Sequence, residues 1–185
     1  MDPAIAIVPM GLDHLRQVLD LGYEVFDTTI KPYTSWSLTS VAEHMDSPDN
    51  ACWVALDFDR VVGFVLGSME FEHRDDWAYL EWIAVAPDRQ GLGIARRLVD
   101  VCSGALFARG ARRIVTDVEE RNTASATLMT RNGFLPAVTV TLFVRPNPNE
   151  PELDSADAIL PAVPPGTKRA LIRRGRLAGE GRTAR

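Results

Sequence analysis

A glycine-containing loop between a predicted strand and a predicted helix is the feature that most constrains how this chain can fold. The loop, Gln90 to Ala95, reads Gln-Gly-Leu-Gly-Ile-Ala, follows an apolar run that ends at Pro87, and leads directly into a helical pattern. A helix that starts after glycines presents backbone N–H groups without helical acceptors, and its dipole favours an anion there. Side chains at Gly91 and Gly93 would keep anionic oxygens away from these donors. The loop therefore predicts a cradle for a phosphate or pyrophosphate.

Two other kinds of phosphate-binding loop are excluded by spacing. No third glycine stands at the interval of a dinucleotide-binding loop, and no Gly-Lys-Ser or Gly-Lys-Thr ends the segment as in nucleotide-triphosphate loops. A glycine-bearing helix start that binds nothing is the plain alternative. The six residues alone leave that alternative open, so the assignment depends on the rest of the chain.

A second block, 122–134, carries a predicted helix that is followed by a glycine and an aromatic residue. Together with the loop, it resembles two motifs of the Gcn5-related N-acetyltransferases: Gln/Arg-x-x-Gly-x-Gly/Ala and Asn-x-x-Ala-x-x-Leu-Tyr-x-x-x-Gly-Phe. The matching positions are Gln90, Gly93 and Ala95 in the first motif and Asn122, Ser125, Leu128, Gly133 and Phe134 in the second, with serine in place of alanine. The motifs occur in the family's order, and the resemblance covers Ile5 to Arg145.

The order of predicted elements agrees with the layout of that family. Hydrophobic periodicity predicts a strand, two helices, three strands, a helix, a strand and a helix, and then a last strand over Phe134 to Val144 or two short ones broken near Pro136. The resemblance implies a fold of the α/β class, also described as α+β. It would have a mixed, mostly antiparallel central sheet of about six to seven strands with a splayed strand pair, flanked by about four helices. We predict one domain over residues 1–145 and a flexible tail over 146–185, rich in proline and then basic.

The resemblance also implies acetyl-coenzyme A as co-substrate and assigns residues to it. Backbone atoms of the splayed strand would pair with the pantetheine arm, the glycine loop would bind the pyrophosphate, and Asn122 would anchor the pantetheine region through its amide. The implied set is Ile83, Ala84, Val85, Gln90, Gly91, Leu92, Gly93, Ile94, Ala95, Arg96, Asn122 and Ser125. Plain alternatives remain: Arg96 on a solvated helix face, and Asn122 as a helix N-cap.

Acetyl transfer by direct attack of an amine needs a base for the ammonium and an acid for the leaving thiolate. The family's usual acid, a tyrosine, is replaced by Met129, whose thioether donates no proton. Two carboxylates are candidate bases. Glu81 lies among apolar residues, where burial would favour its uncharged form. Asp117 lies five residues before Asn122, where the locally similar ribosomal-protein alanine N-acetyltransferases carry a glutamate, and its shorter reach suggests a water relay. For both, a solvent-facing or arginine-paired carboxylate is the alternative.

Composition excludes several other classes of function. The net charge of −5 gives no basic field for nucleic acid, and the two cysteines among 185 residues argue against a disulfide framework or a cysteine metal site. The three histidines have no partners at metal-ligand spacing. Neither a signal peptide nor a membrane-spanning run is recognisable. We therefore expect no metal, nucleic-acid or membrane partner, a cytoplasmic location, and a possible homodimer.

Three hypotheses of function follow. The first is an N-acetyltransferase that moves an acetyl group from acetyl-coenzyme A to a primary amine of a small molecule or a protein N-terminus. The second is a coenzyme-A-binding regulatory module without turnover, suggested by Met129. The third is an interaction protein that acts through the basic tail. We expect the aromatic loop from Tyr33 to Trp36 and the final strands to shape an acceptor pocket. Acidic residues near the fourth strand either attract a cationic amine or form a solvated hairpin. They are Glu70, Glu72, Asp75 and Asp76.

Overall fold

The computed structural model describes residues 5–26, 36–69, 71, 74–141 and 149. Five strands and four α-helices occur in this part of the chain. In chain order they are β1 (Ala6–Pro9), α1 (Leu15–Val25), α2 (Leu38–Asp46), β2 (Trp53–Asp57), β3 (Arg60–Ser68), β4 (Trp77–Val85), α3 (Ile94–Ala108), β5 (Arg113–Val115) and α4 (Thr123–Arg131).

The strands form one sheet in the order β1-β2-β3-β4-β5. The pairs from β1 to β4 are antiparallel, and β4 and β5 are parallel. A parallel pair needs a crossover connection, which α3 supplies. The crossover sets the glycine loop at the carboxyl end of β4, where it joins the strand to the first turn of α3.

Helices cover both faces of the sheet. Neighbouring residues of β3 point to opposite faces and so show which helix packs on each face. A side chain at Gly63 would meet Leu98 and Ile94 of α3, whereas the adjacent Phe64 stacks on Trp36, with ring centroids 5.2 Å apart. Trp36 lies two residues before the start of α2, so α3 packs on one face and the α1–α2 pair on the other. Tight packing on both faces explains why β3 is buried over nearly its whole length.

Gly22 makes the close approach of α1 to Trp36 possible. A β-carbon at Gly22 would lie 2.1 Å from the indole ring of Trp36, whose Nε1 donates a hydrogen bond to the carbonyl of Leu19 at 3.0 Å. We expect Gly22→Ala to lower the free energy of unfolding by about 1–3 kcal/mol, because the buried ring has to move. Gly104→Ala is the matched control: Gly104 lies inside α3 with nothing within 4 Å of the added carbon, and the gain in helix propensity is about 1 kcal/mol. Chemical denaturation measures both, and equal effects of the two changes would contradict this packing.

The predicted fold class is confirmed, and the described residues contain five strands where six to seven were predicted. Residues Phe134–Thr141, expected to form a strand, have no regular secondary structure, and Leu135, Val138 and Val140 are exposed. Their alternating pattern needs a neighbouring edge for pairing, and β5 offers only three residues because it leaves β4 after Val115. Pro136 removes one further backbone donor.

Several sequence-based expectations fall outside the described residues. They concern Val144 at the end of the predicted last strand, the aromatic loop up to Ser35, the acidic residues Glu70 and Glu72, and the tail over 146–185 apart from Asn149.

The described residues also bear on the expectations about disulfides, membrane-spanning segments and metal sites. Cys52 and Cys102 are free and buried, and burial raises their pKa to about 11 and about 12, respectively. In the part of the chain that the structure describes, no helix is long and apolar enough to cross a membrane. Within those same residues, no group of His, Cys, Asp and Glu side chains is arranged to hold a metal ion.

Candidate active site

A gap opens where β4 and β5 separate. The two strands pair only at Trp77 with Arg113, Ala78 with Ile114, and Tyr79 with Val115. Beyond this point no strand of the described residues pairs with that side of β4, which continues to Val85, while its other edge stays paired with β3. A strand edge without a neighbouring strand offers backbone donors and acceptors to a ligand.

Alternation of peptide groups identifies which residues of β4 face the gap. The N–H of Ala86 donates to the carbonyl of Val62 on β3 at 2.9 Å. Groups two residues apart point the same way, so Ala84 also faces β3, whereas Ile83 and Val85 face the gap. The Nε2 of Gln90 donates to the carbonyl of Val85 at 3.3 Å, as this orientation requires. Of the three predicted strand residues, two therefore present backbone groups to the gap.

The glycine loop lies directly beyond this edge. Gly91 and Gly93 have φ angles of +79° and +75°, which favour glycine. The first α-helical hydrogen bond of α3 runs from Arg97 N–H to the carbonyl of Gly93 at 3.2 Å, so the amides of Ile94, Ala95 and Arg96 come before it. These first-turn amides have no acceptor within the helix. Among the described residues, nothing lies within 4 Å of a β-carbon built at either glycine, so the surroundings of both glycines are open.

Ion pairs that the sequence analysis missed support the start of the loop. Arg89 contacts Asp57 of β2 through Nη2 at 3.0 Å and also pairs with Asp88 at 2.9 Å. Arg60 of β3 contacts Asp88 at 2.9 Å, and this hydrogen bond holds the pKa of Asp88 below its ordinary value. These contacts join the loop to the turn between β2 and β3. The sequence signals these ion pairs only through the opposite charges of residues 57 and 60, beside the turn, and of residues 88 and 89, before the glycine loop.

Glu81, one predicted base, is buried against α2. Its Oε2 lies 2.6 Å from Nε2 of His44, and the exposed fractions of the two side chains are 2% for Glu81 and 5% for His44. The pairing of β3 with β4 shifts at this point: Leu66 pairs with Trp82 and Gly67 with Leu80. Glu81 is the extra residue of a β-bulge, which bends a strand locally. His44 was not predicted from the sequence as the partner of Glu81.

Asp117, the other predicted base, is exposed just beyond the end of β5. The hydroxyl of the buried Tyr79 donates a hydrogen bond to its Oδ1. Since Tyr79 forms the last pair between β4 and β5, opposite Val115, this contact lies where the gap begins. Asp117 follows Val115 by two residues, and side chains two residues apart in a strand lie on the same face. Tyr79 could therefore have been inferred as the partner of Asp117 once the pairing of Tyr79 with Val115 was known.

The remaining predicted ligands lie on the surfaces of α3 and α4. Arg96 is exposed and 3.9 Å from Asp100, an (i, i+4) pair of little strength. Asn122 caps α4, because its Oδ1 accepts a hydrogen bond from the N–H of Ser125 at 3.0 Å. The cap uses only the oxygen, so the two donors of the Asn122 amide are not consumed by it.

A comparison with protein families decides the assignment. Residues 18–134 match the model of the acetyltransferase (GNAT) family, which spans the gap, the glycine loop and α4. The chain belongs to the Gcn5-related N-acetyltransferase family. Acetyl-coenzyme A is the co-substrate that goes with this membership.

Two curated relatives are also acetyltransferases. The chain is 27% identical over 132 residues to N-alpha-acetyltransferase 30 of Schizosaccharomyces pombe, a match that covers 70% of this chain and 83% of that protein. It is 46% identical over 52 residues to the mycothiol acetyltransferase of Geodermatophilus obscurus, covering 28% of this chain and 17% of that enzyme. The chain therefore corresponds to a small part of the mycothiol enzyme and to most of the N-alpha-acetyltransferase.

Solved structures agree with the GNAT fold. An aminoglycoside N-acetyltransferase, AAC(6')-Iy, in complex with CoA has a TM-score of 0.62 at 20% identity, over 77% of this chain and 100% of that one. The NatC complex bound to Gag peptide and CoA has a TM-score of 0.65 at 17% identity, over 72% and 86%. At 20% and 17% identity, the similarity to these two structures shows a shared fold only.

Within this GNAT domain, Met129 stands at the position of the family's tyrosine. Its side chain is buried in the hydrophobic core. The phenol of Tyr79, which contacts Asp117, is a hydroxyl near the gap that the sequence motif does not include. Tyr79 and His44 thus contact the predicted bases, and the sequence did not predict either contact.

Proposed function

We propose that this protein binds acetyl-coenzyme A across the gap between β4 and β5 and transfers the acetyl group to a primary amine. One observation carries the proposal: the open edge of β4 leads directly into a loop with two glycines at positive φ and then into the first turn of α3. This combination offers strand-type pairing to an extended arm and a cluster of N–H donors to an anion. A pantetheine arm attached to a pyrophosphate has both features.

The residues of the gap divide between the two parts of the ligand. Backbone groups of Ile83 and Val85 would pair with the amides of the pantetheine arm. The amides from Gly91 to Arg96 would bind the pyrophosphate, aided by the positive end of the α3 dipole. Asn122 would contribute its amide donors while its oxygen caps α4. Ala84, whose peptide groups face β3, would line the gap without pairing.

Asp117 is the better candidate for the base. It is exposed, so the proton of an ammonium group can reach it directly or through water, and the Tyr79 hydroxyl fixes its orientation. The deprotonated amine attacks the thioester carbonyl and forms the N–C bond of a tetrahedral intermediate, the nitrogen loses its second proton to water, and the C–S bond breaks as the coenzyme A thiolate leaves. Because Met129 donates no proton, the thiolate leaves as the anion or takes a proton from water or from a neighbouring hydroxyl.

We propose a peptide N-terminus as the acceptor class, ahead of small amines. The support is the match to N-alpha-acetyltransferase 30, which covers most of both chains, whereas the match to the mycothiol enzyme is confined to 52 residues. A coenzyme-A-binding module without turnover is the second candidate, and the methionine at 129 is the observation that favours it.

A panel of acceptors tests this proposal. The full chain is mixed with acetyl-coenzyme A and either N-terminal peptides, the same peptides with blocked N-termini, or small amines that include an aminoglycoside. Thiol release and mass spectrometry then identify the acetylated product. The buried thiols of Cys52 and Cys102, with raised pKa values of about 11 and about 12, should give little background in this assay. Acetylation of free but not blocked peptides supports the peptide class, and acetylation of small amines alone overturns it.

A further inference from the structure

We infer that His44 and Glu81 share a single proton and act together as a positioning pair that fixes α2 against the bulge of β4. Glu81 then holds the acceptor side of the gap in place, and Asp117 is left as the base. This inference rests on the proposed function for its catalytic part and on geometry alone for its protonation.

Hydrogen-bond partners determine where the proton lies. The Nδ1 of His44 lies 2.8 Å from the backbone carbonyl oxygen of Ser40. A carbonyl oxygen only accepts, so Nδ1 carries a hydrogen. The other ring nitrogen, Nε2, lies 2.6 Å from Oε2 of Glu81. A neutral ring with hydrogen on Nδ1 would have a lone pair on Nε2, and an ionised carboxylate would then bring a second lone pair against it. One further proton between Nε2 and Oε2 resolves this contact, whether the pair is written as imidazolium with carboxylate or as imidazole with carboxylic acid.

Burial keeps that proton within the pair. With 5% and 2% of their side chains exposed, His44 and Glu81 have little water to stabilise a net charge. The pair with one proton has no net charge. If Glu81 also took the proton of a substrate ammonium, the buried pair would become positive, which burial disfavours. A carboxylate in this state is poorly suited to act as the base.

The location of the pair indicates what it positions. His44 lies in the last turn of α2, and its backbone carbonyl also accepts a weak hydrogen bond from the Cys52 thiol at 3.9 Å. Glu81 is the bulge residue of β4, two residues beyond the last pair with β5. The pair therefore links α2 to β4 at the point where the sheet opens. On the proposed function, loosening it should impair acceptor binding while the glycine loop still binds acetyl-coenzyme A.

Substitutions at Glu81 separate positioning from proton transfer. Glu81→Gln keeps the shape and supplies an N–H to Nε2 of a neutral His44, so we expect kcat to stay within about threefold of the wild type. A general base is worth about 10²–10⁴-fold, so a fall of that size, matching that of Asp117→Asn, would overturn the inference. In Glu81→Ala the link is lost, and we expect the KM of the acceptor to rise at least about tenfold, while the Kd of acetyl-coenzyme A changes much less because the glycine loop is intact.

Nitrogen NMR of His44 gives a readout that does not depend on activity. We expect hydrogen on Nδ1 in the wild type at pH 7, and a neutral ring with hydrogen on Nδ1 only in Glu81→Gln. Hydrogen on Nε2 alone in the wild type, or hydrogen on Nδ1 with no proton between Nε2 and Oε2, would overturn the shared proton, even if Glu81→Ala fails to fold. Absence of acetyl transfer by the wild type towards every acceptor would instead refute the proposed function and leave the NMR result to decide the pair.

Discussion

Gly93→Glu is expected to weaken acetyl-coenzyme A binding at least about a hundredfold, which corresponds to about 3 kcal/mol. Gly93 has a φ of +75°, directly precedes the first turn of α3, and has nothing within 4 Å of an added β-carbon among the described residues. A glutamate there would fill the cradle and set a negative charge against the pyrophosphate, in a position where the helix dipole otherwise favours the anion. Calorimetric titration of the folded variant with acetyl-coenzyme A measures the change.

Gly110→Glu is the matched control for that variant. Gly110 follows the opposite end of the same helix, has a φ of +96°, and has nothing within 4 Å of an added β-carbon. Both variants carry the strain of a side chain at positive φ and the same added charge. Only the Gly93 variant should lose affinity. If both variants bind acetyl-coenzyme A as the wild type does, the loop is an ordinary helix start.

Asp117→Asn is expected to lower kcat by about 10²–10⁴-fold with little effect on the Kd of acetyl-coenzyme A. The amide keeps the size of the side chain and removes its ability to accept the ammonium proton. Asp117→Glu should retain turnover, because it restores the longer carboxylate that the similar alanine N-acetyltransferases carry. Steady-state thiol release, with binding measured in parallel, separates kcat from affinity.

Two further variants show whether the effect is specific to Asp117. Asp20→Asn changes an exposed carboxylate whose partner is Arg16 on α1, so it should leave turnover unchanged. Tyr79→Phe removes the hydroxyl that orients Asp117 and should cause a smaller loss than Asp117→Asn. Normal turnover in Asp117→Asn would exclude Asp117 as the base.

The parts of the site that could be predicted from sequence are those set by local chain geometry. Glycines before a helix define a loop with exposed amides, and the structure has Gly91 and Gly93 at positive φ directly before Ile94. Asn122 at the start of α4 likewise depends only on the three residues that follow it. Such features need no knowledge of which strands pair.

The parts that could not be predicted depend on register. Glu81 contacts His44, which lies 37 positions earlier in the sequence, at a bulge of β4. The sequence pattern of the strand does not indicate this bulge. Tyr79 meets Asp117 because β4 and β5 pair over only three residues. The same short pairing explains the wrong prediction of a strand over the described residues Phe134–Thr141: alternating side chains are necessary for a strand, but a long enough edge is needed too.

The stoichiometry of acetyl transfer by the wild-type chain tests most directly whether this protein is an acetyltransferase. Acetyl-coenzyme A is titrated in calorimetrically, the amine panel is added to the same sample, and released thiol is compared with acetylated product by mass spectrometry. We expect saturable binding, followed by one thiol released for each acetyl group found on an amine. Absence of acetyl-coenzyme A binding would contradict the cradle at Gly91 to Arg96, and binding without any acetylated amine would contradict the assignment as an acetyltransferase.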